Sequence, residues 1–131
     1  MESNYSVQIE GFAERHFIKS FEKKHKNHWD VTLRAIIAEL ERIDNLLLTD
    51  KADTIIDAGN IKIIKTEFKI AGSNESAKTS GNRCIVAWNT KERIVSVLLV
   101  YGKTDITSKN KETDEWKRMI KDSYPQYYNI L

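Results

Sequence analysis

The stretch 82–103, NRCIVAWNTKERIVSVLLVYGK, constrains the fold more than any other part of the chain. Two runs rich in β-branched and aromatic residues, Cys84-Ile85-Val86-Ala87-Trp88 and Ile94-Val95-Ser96-Val97-Leu98-Leu99-Val100-Tyr101, flank the polar break Asn89-Thr90-Lys91-Glu92. Runs of this kind around a short polar break predict a β-hairpin. The second run has almost no polar position, which predicts an interior strand covered on both faces. Arg83 enters the first strand and Lys103 leaves the second. Antiparallel pairing brings those ends together, so two fixed charges at one rim of a rigid sheet form a candidate anion site. Two solvated strand-end charges would give the same pattern.

The remaining elements are read around this hairpin. Residues 5–10 alternate, with Tyr5, Val7 and Ile9 apolar, as in a short half-buried strand. After Gly11, residues 12–26 read as a helix with Phe17, Ile18 and Phe21 inward and Lys19, Lys23, Lys24 and Lys26 outward. Basic residues in a last turn also complement the helix dipole. A second helix carries Leu33, Ile36, Ile37, Leu40, Ile43 and Leu47 at helical spacing, with Asn27 and Asp30 as possible N-caps. The short link between the helices predicts an antiparallel pair on one face of the sheet.

Residues 49–59 read as a polar connection ending at the turn signal Gly59-Asn60, and residues 61–70 as another strand. On that strand Lys65, Glu67 and Lys69 share one parity, and Lys62 and Phe68 the other. Residues 71–82, AGSNESAKTSGN, read as a mobile loop. A short helix over about 113–122 starts acidic, ends basic and carries Trp116, Met119 and Ile120. The apolar tail 126–131 is suited to docking on the body or on a partner. The predicted fold class is α+β: a small, mostly antiparallel sheet, an N-terminal helical hairpin on one face and a short C-terminal helix, in the order β-α-α-β-β-β-α.

With 131 residues the chain suits one domain, 1–131, with one core. The net charge is only +2, yet residues 58–109 hold nine Lys and Arg against four Asp and Glu, while residues 30–57 hold three against seven. Positive charge thus concentrates on the predicted sheet, which suits a local polyanion contact and not bulk coating of DNA. One cysteine, Cys84, excludes an intramolecular disulfide and a cysteine zinc site, and its apolar strand makes it a core residue. No apolar run reaches membrane-spanning length and no signal-peptide pattern opens the sequence, so a cytoplasmic protein with no membrane partner is expected. GxGxxG, P-loop, HExxH and nucleophile-elbow patterns are missing, and His16, His25 and His28 lack metal-ligand spacing. Neither a metal nor a cofactor is expected.

The run 61–103 resembles the RelE/ParE superfamily of bacterial toxins from type II toxin–antitoxin systems, and within it the HigB-type branch. The resemblance lies in Phe68-Lys69-Ile70, then the loop Lys78-Thr79-Ser80-Gly81-Asn82, then Arg83-Cys84-Ile85-Val86 and Leu98-Leu99-Val100-Tyr101-Gly102-Lys103. Asn110-Lys111-Glu112-Thr113 followed by Trp116 is similar to the helix that comes next in that family.

The resemblance implies a RelE-like fold and a metal-independent, ribosome-dependent mRNA endoribonuclease, with the ribosome, mRNA and a cognate antitoxin as partners. The chemistry is attack by a 2′-hydroxyl on its neighbouring phosphate, which builds negative charge that fixed cations stabilise. Carried over by position, Arg83 contacts the scissile phosphate, Lys69 and Lys103 add charge, and Tyr101 stacks on a base or donates a proton. Lys62, Lys65 and Lys78 orient the RNA. Lys69 stands where that family often has arginine, and lysine lacks the bidentate fork. Two other functions fit the same reading: a same-fold toxin acting on a protein target such as gyrase, and a non-catalytic RNA- or protein-binding module.

Overall fold

The computed structural model describes residues 4–102, 105 and 112–131. Strand β1 (Ser6–Ile9) leads into helix α1 (residues 11–24), whose middle turn, Glu14–Ile18, is a π-turn. Helix α2 (Trp29–Leu40) and the single turn α3 (Ile43–Leu46) follow. Then come β2 (Ala52–Ala58), β3 (Ile61–Phe68), the short α4 (Ala77–Ser80), β4 (Asn82–Asn89), β5 (Ile94–Tyr101) and α5 (Glu112–Ser123). A 3-10 turn, Pro125–Ile130, closes the chain.

The strands form one sheet in the order β1-β5-β4-β3-β2. All neighbours are antiparallel except β1, which runs parallel to β5. The hairpin therefore forms as its sequence predicts, and β5 is interior and buried from Val95 to Tyr101. A register shift between Ile85 and Val86 marks a bulge in the hairpin. At its tip Arg93 adopts φ 60°, its carbonyl accepts from the Ser6 amide, and its guanidinium lies 4.0 Å over the Tyr5 ring. These contacts tie β1 to the hairpin tip.

Three sequence expectations need correction. Residues 49–59 were expected to be a polar connection, yet they contain β2, whose partner β3 has its hydrogen-bonding edge satisfied by it. Only Ala52 of this edge strand is fully buried, so alternation is weak and a bulge between Thr54 and Ile56 breaks it further. The loop 71–82 was expected to be mobile but contains α4, capped at Ser76 by reciprocal bonds with Thr79. The Ser80 hydroxyl bonds the Phe68 carbonyl at 2.7 Å, and the Ala71 amide bonds Thr32 Oγ1 at 2.8 Å. Finally, α2 is rotated from the expected stripe. Trp29, Thr32, Ile36 and Leu40 are its buried residues, while Leu33 and Ile37 are half-buried.

The helical pair α1–α2 covers the sheet face that carries Phe68, Thr66 and Ile64. Phe21 and Trp29 stack at 4.8 Å between centroids, and each meets Phe68 edge-on, at 5.8 and 6.2 Å. Face parity then puts Lys65, Glu67, Arg83 and Tyr101 on the opposite face. Helix α5 packs on that side of β5, burying Trp116 and Ile120. The Tyr101 hydroxyl bonds the Glu112 carboxylate at the start of α5. The tail docks as the sequence allowed: the Tyr124 hydroxyl donates to the Leu98 carbonyl at 2.8 Å, and Tyr127, Ile130 and Leu131 lie half-buried against the core. No helix among the described residues is long and apolar enough to cross a membrane.

Candidate functional site

Pairing across three strands puts Glu67, Arg83 and Tyr101 in one row: Glu67 faces Arg83, and Arg83 faces Tyr101. Arg83 Nη2 lies 3.4 Å from Glu67 Oε2, and the two side chains are 15% and 13% exposed. Arg83 also donates to two carbonyls, Asn82 O at 3.0 Å and Lys78 O at 3.4 Å. A guanidinium held at three points on a rigid strand is a preorganised cation. Its position follows from the hairpin register and from the Gly81 turn, where φ is +80°.

Lys78 closes the group from α4. Its ammonium lies 3.6 Å from Glu67 Oε1 and donates to the Asp50 carbonyl at 3.1 Å. Its side chain is 55% exposed, so it forms the solvent rim of the cluster. Glu67 Oε1 is buried and makes no hydrogen bond. The carboxylate is flanked by two cations, Arg83 and Lys78, and anchors both at this end of the sheet. The sequence reading placed Glu67 on a charged stripe but gave it no role. The available signal was its place between Lys65 and Lys69, opposite the future position of Arg83, and that pairing is set by tertiary structure.

The other expected site residues are distributed as follows. Tyr101 is in the row but is 1% exposed, so its ring offers no face for base stacking. Its hydroxyl is committed to Glu112, and burial together with that carboxylate pushes its pKa well up. Lys65 is half-buried on the Glu67 face, opposite Asp53 of β2. Lys69 lies just past β3, exposed, with its ammonium on the Ser73 carbonyl at 3.3 Å and not in the Glu67–Arg83–Lys78 cluster. Lys62 is on the other face, near the far end of β3, paired with Asp57 at 2.9 Å. It stands five positions from Glu67, about 17 Å along a strand. Face and distance both remove Lys62 from this site. Lys103 lies outside the described residues.

No protein-family model matches the sequence, and no curated protein matches it. Among solved structures the chain is similar to a chain of the archaeal RelE–RelB complex from Pyrococcus horikoshii OT3. The two share 12% identity over 76% of this chain and 96% of that one, with a TM-score of 0.43.

The arrangement has a definite chemical capacity. Arg83 and Lys78 set positive charge on both sides of one carboxylate at the margin of α5. Among the described residues no three His, Cys, Asp or Glu side chains converge as a metal cluster. A phosphodiester laid against Arg83 would meet a fixed cation beside the solvent-facing ammonium of Lys78.

Proposed function

We propose that this protein is the toxin of a type II toxin–antitoxin pair and cleaves mRNA on the ribosome by metal-independent transesterification. The Glu67–Arg83 pair carries the reading, with Lys78 at its rim. The resemblance of segments 68–70, 78–86 and 98–103 to RelE/ParE toxins supports it from the sequence side.

In this mechanism Glu67 takes the proton of the attacking 2′-hydroxyl. Arg83 binds the scissile phosphate and stabilises the charge that builds as the pentacoordinate species forms. Electrostatic stabilisation of that kind is commonly the largest contribution to such a step. The bond to the 5′-oxygen then breaks, and Lys78 delivers its proton there. Products are a 2′,3′-cyclic phosphate and a free 5′-hydroxyl. Lys65 orients the RNA along β3, and Lys69 adds charge from the flank. Tyr101 acts through Glu112, holding α5 beside the site, and not on the RNA itself. The antitoxin, in this reading, places an acidic segment over the Arg83 face.

The test is induction of the protein in a bacterial host, with growth and mRNA integrity followed beside Arg83→Lys and Glu67→Gln variants that are soluble and folded. Arrest with mRNA cut at ribosome-phased positions, lost in both variants, is the expected result. Arrest with intact mRNA would replace this reading with a protein target. No arrest from the folded wild-type protein would leave a non-catalytic binding module.

A further inference from the structure

Helix α1 turns Phe17, Ile18 and Phe21 into the core and leaves Lys19, Ser20, Glu22, Lys23 and Lys24 exposed. Residues 15–28 hold five Lys and Arg against one Glu. Lys19, Ser20, Glu22 and Lys23 of the helix line one open recess together with Lys26 of the connection to α2. Three lysine stems rise around that recess, and Glu22 is the one acid among them.

These cations are uncompensated. Among the described residues none of Arg15, Lys19, Lys23, Lys24 and Lys26 makes an ion pair. Glu22, three positions after Lys19, pairs with neither it nor Lys26, although i,i+3 spacing on a helix permits a pair. Elsewhere the surface does pair its cations: Arg34 with Asp30, Lys51 with Glu39, Lys62 with Asp57 and Arg118 with Glu115. The helix dipole accounts for Lys23 and Lys24 in the last turn. It does not account for Arg15 and Lys19, which come before that turn.

Like charges on one face repel, and an anionic partner relieves that repulsion. Lys19 and Lys23 stand four positions apart, about 6 Å along the helix axis. A polymer whose negative groups repeat every few Å meets several such cations at once and releases counterions along the whole contact. The rings beside the stripe, Phe17 and Phe21, are buried, so it offers no platform for stacking an unpaired base. A partner that presents a regular backbone and keeps its bases inside fits this surface.

We propose that the outer face of α1, from Lys19 to Lys26, docks on the phosphate backbone of an RNA duplex without regard to base sequence. This face is separate from the site above. Helix α1 covers the side of the sheet that carries Phe68, and Arg83 stands on the other. The choice of RNA over DNA rests on the function proposed above; the docking itself needs no cleavage.

The test is a titration of the full chain with a short blunt RNA duplex, followed by amide NMR and, across a salt series, by the anisotropy of the labelled duplex. Binding should saturate, with shifts at Lys19, Ser20, Lys23 and Lys26, and log affinity should fall linearly with log salt. Lys19→Gln combined with Lys23→Gln should weaken binding ~10-fold or more and reduce the salt slope by about 2. Glutamine keeps the helix propensity, and an otherwise unchanged spectrum verifies the fold. Lys91→Gln combined with Lys117→Gln removes the same charge from the hairpin tip and α5, and should leave affinity and slope unchanged. An equal loss in that control would overturn the proposal, as would absence of saturation or shifts confined to the Glu67–Arg83 face. A DNA duplex of the same length should bind no more tightly than the RNA; tighter binding would overturn the assignment to RNA. Poly-glutamate that displaces the duplex from these residues at lower concentration would transfer the face to an acidic protein. Duplex docking on α1 by a chain that leaves mRNA intact in cells would sink the ribonuclease reading and uphold this one.

Discussion

Glu67 and Arg83 are cross-strand partners on β3 and β4 with only 13% and 15% of their side chains exposed. Such a pair adds little net stability over a well-packed apolar pair, yet removing one member strands the other's charge. Arg83→Ala should therefore destabilise the fold, by about 1–3 kcal/mol after allowance for partial exposure, while Glu67→Gln should cost under about 1 kcal/mol. The double variant should recover stability relative to Arg83→Ala and regain no RNA cleavage. Urea unfolding and a cleavage assay on the same preparations separate the two roles. Equal stability of Arg83→Ala and wild type would show that the pair is solvated and not preorganised.

Tyr101 and Glu112 join β5 to the first turn of α5 through a hydroxyl–carboxylate hydrogen bond. Tyr101→Phe keeps the ring in its buried place and removes only that bond. Hydrogen bonds to charged groups are worth about 1.5–3 kcal/mol. The variant should lose about that much stability, and amide exchange should accelerate first at residues 112–116. If Tyr101 acted on the substrate directly, its loss would abolish cleavage without loosening α5. Retained cleavage with faster exchange in α5 is the expected result.

Much of this architecture is legible in the sequence because local pattern and final burial agree. The hairpin is the strongest case: β-branched runs, a polar tip and an apolar second strand all demand an interior position. Strand β2 is not legible, since Asp53, Thr54, Asp57 and Ala58 are exposed on an edge and only Ile55-Ile56 signal a sheet. The parallel pairing of β1 with β5 joins residues some ninety positions apart, about which neither sequence offers a register signal. The α2–α3 stripe is legible in Ile36, Leu40 and Ile43, which are buried, whereas Trp29 and Thr32 join it through specific partners, the Phe21 ring and the Ala71 amide. The site divides the same way. Arg83 is visible as a cation entering a strand, whereas Glu67 gains significance only through the register that brings it opposite Arg83.

Burial pushes the Cys84 thiol up to about 12, from an ordinary 9.0, and pushes the Tyr101 phenol up as well. Both folded values lie above the unfolded ones, so the unfolded chain releases these protons first. The stability they contribute is fully present below pH 9 and declines as pH rises from 9 towards 12. One such group sets a slope of at most about 1.4 kcal/mol per pH unit. Urea midpoints at pH 8, 9.5 and 10.5 should fall steadily, and the fall should be shallower in Cys84→Ala. Identical slopes in the two proteins would remove Cys84 as a cause. Thiol reagents should label Cys84 only after unfolding, as its side chain is fully buried.

Thr32 links two elements that the sequence separates by 39 positions: its hydroxyl donates to the His28 carbonyl at 2.7 Å and accepts from the Ala71 amide at 2.8 Å. The residue is 1% exposed, so no water replaces these partners. Thr32→Val keeps the shape and leaves the Ala71 amide without an acceptor. The loss should be about 1–3 kcal/mol, the cost of a buried unsatisfied donor. More informative is where it falls. Ala71 begins the loop that runs through Gly72, Ser73 and Glu75 to α4 and Lys78. Amide exchange should accelerate at residues 71–76. The bonds of Ser80 and Asn82 are independent of Thr32, so Arg83 should keep its geometry. Thr32→Ser, which retains the hydroxyl, should restore the exchange pattern; failure to do so would assign the effect to lost packing and not to the bridge.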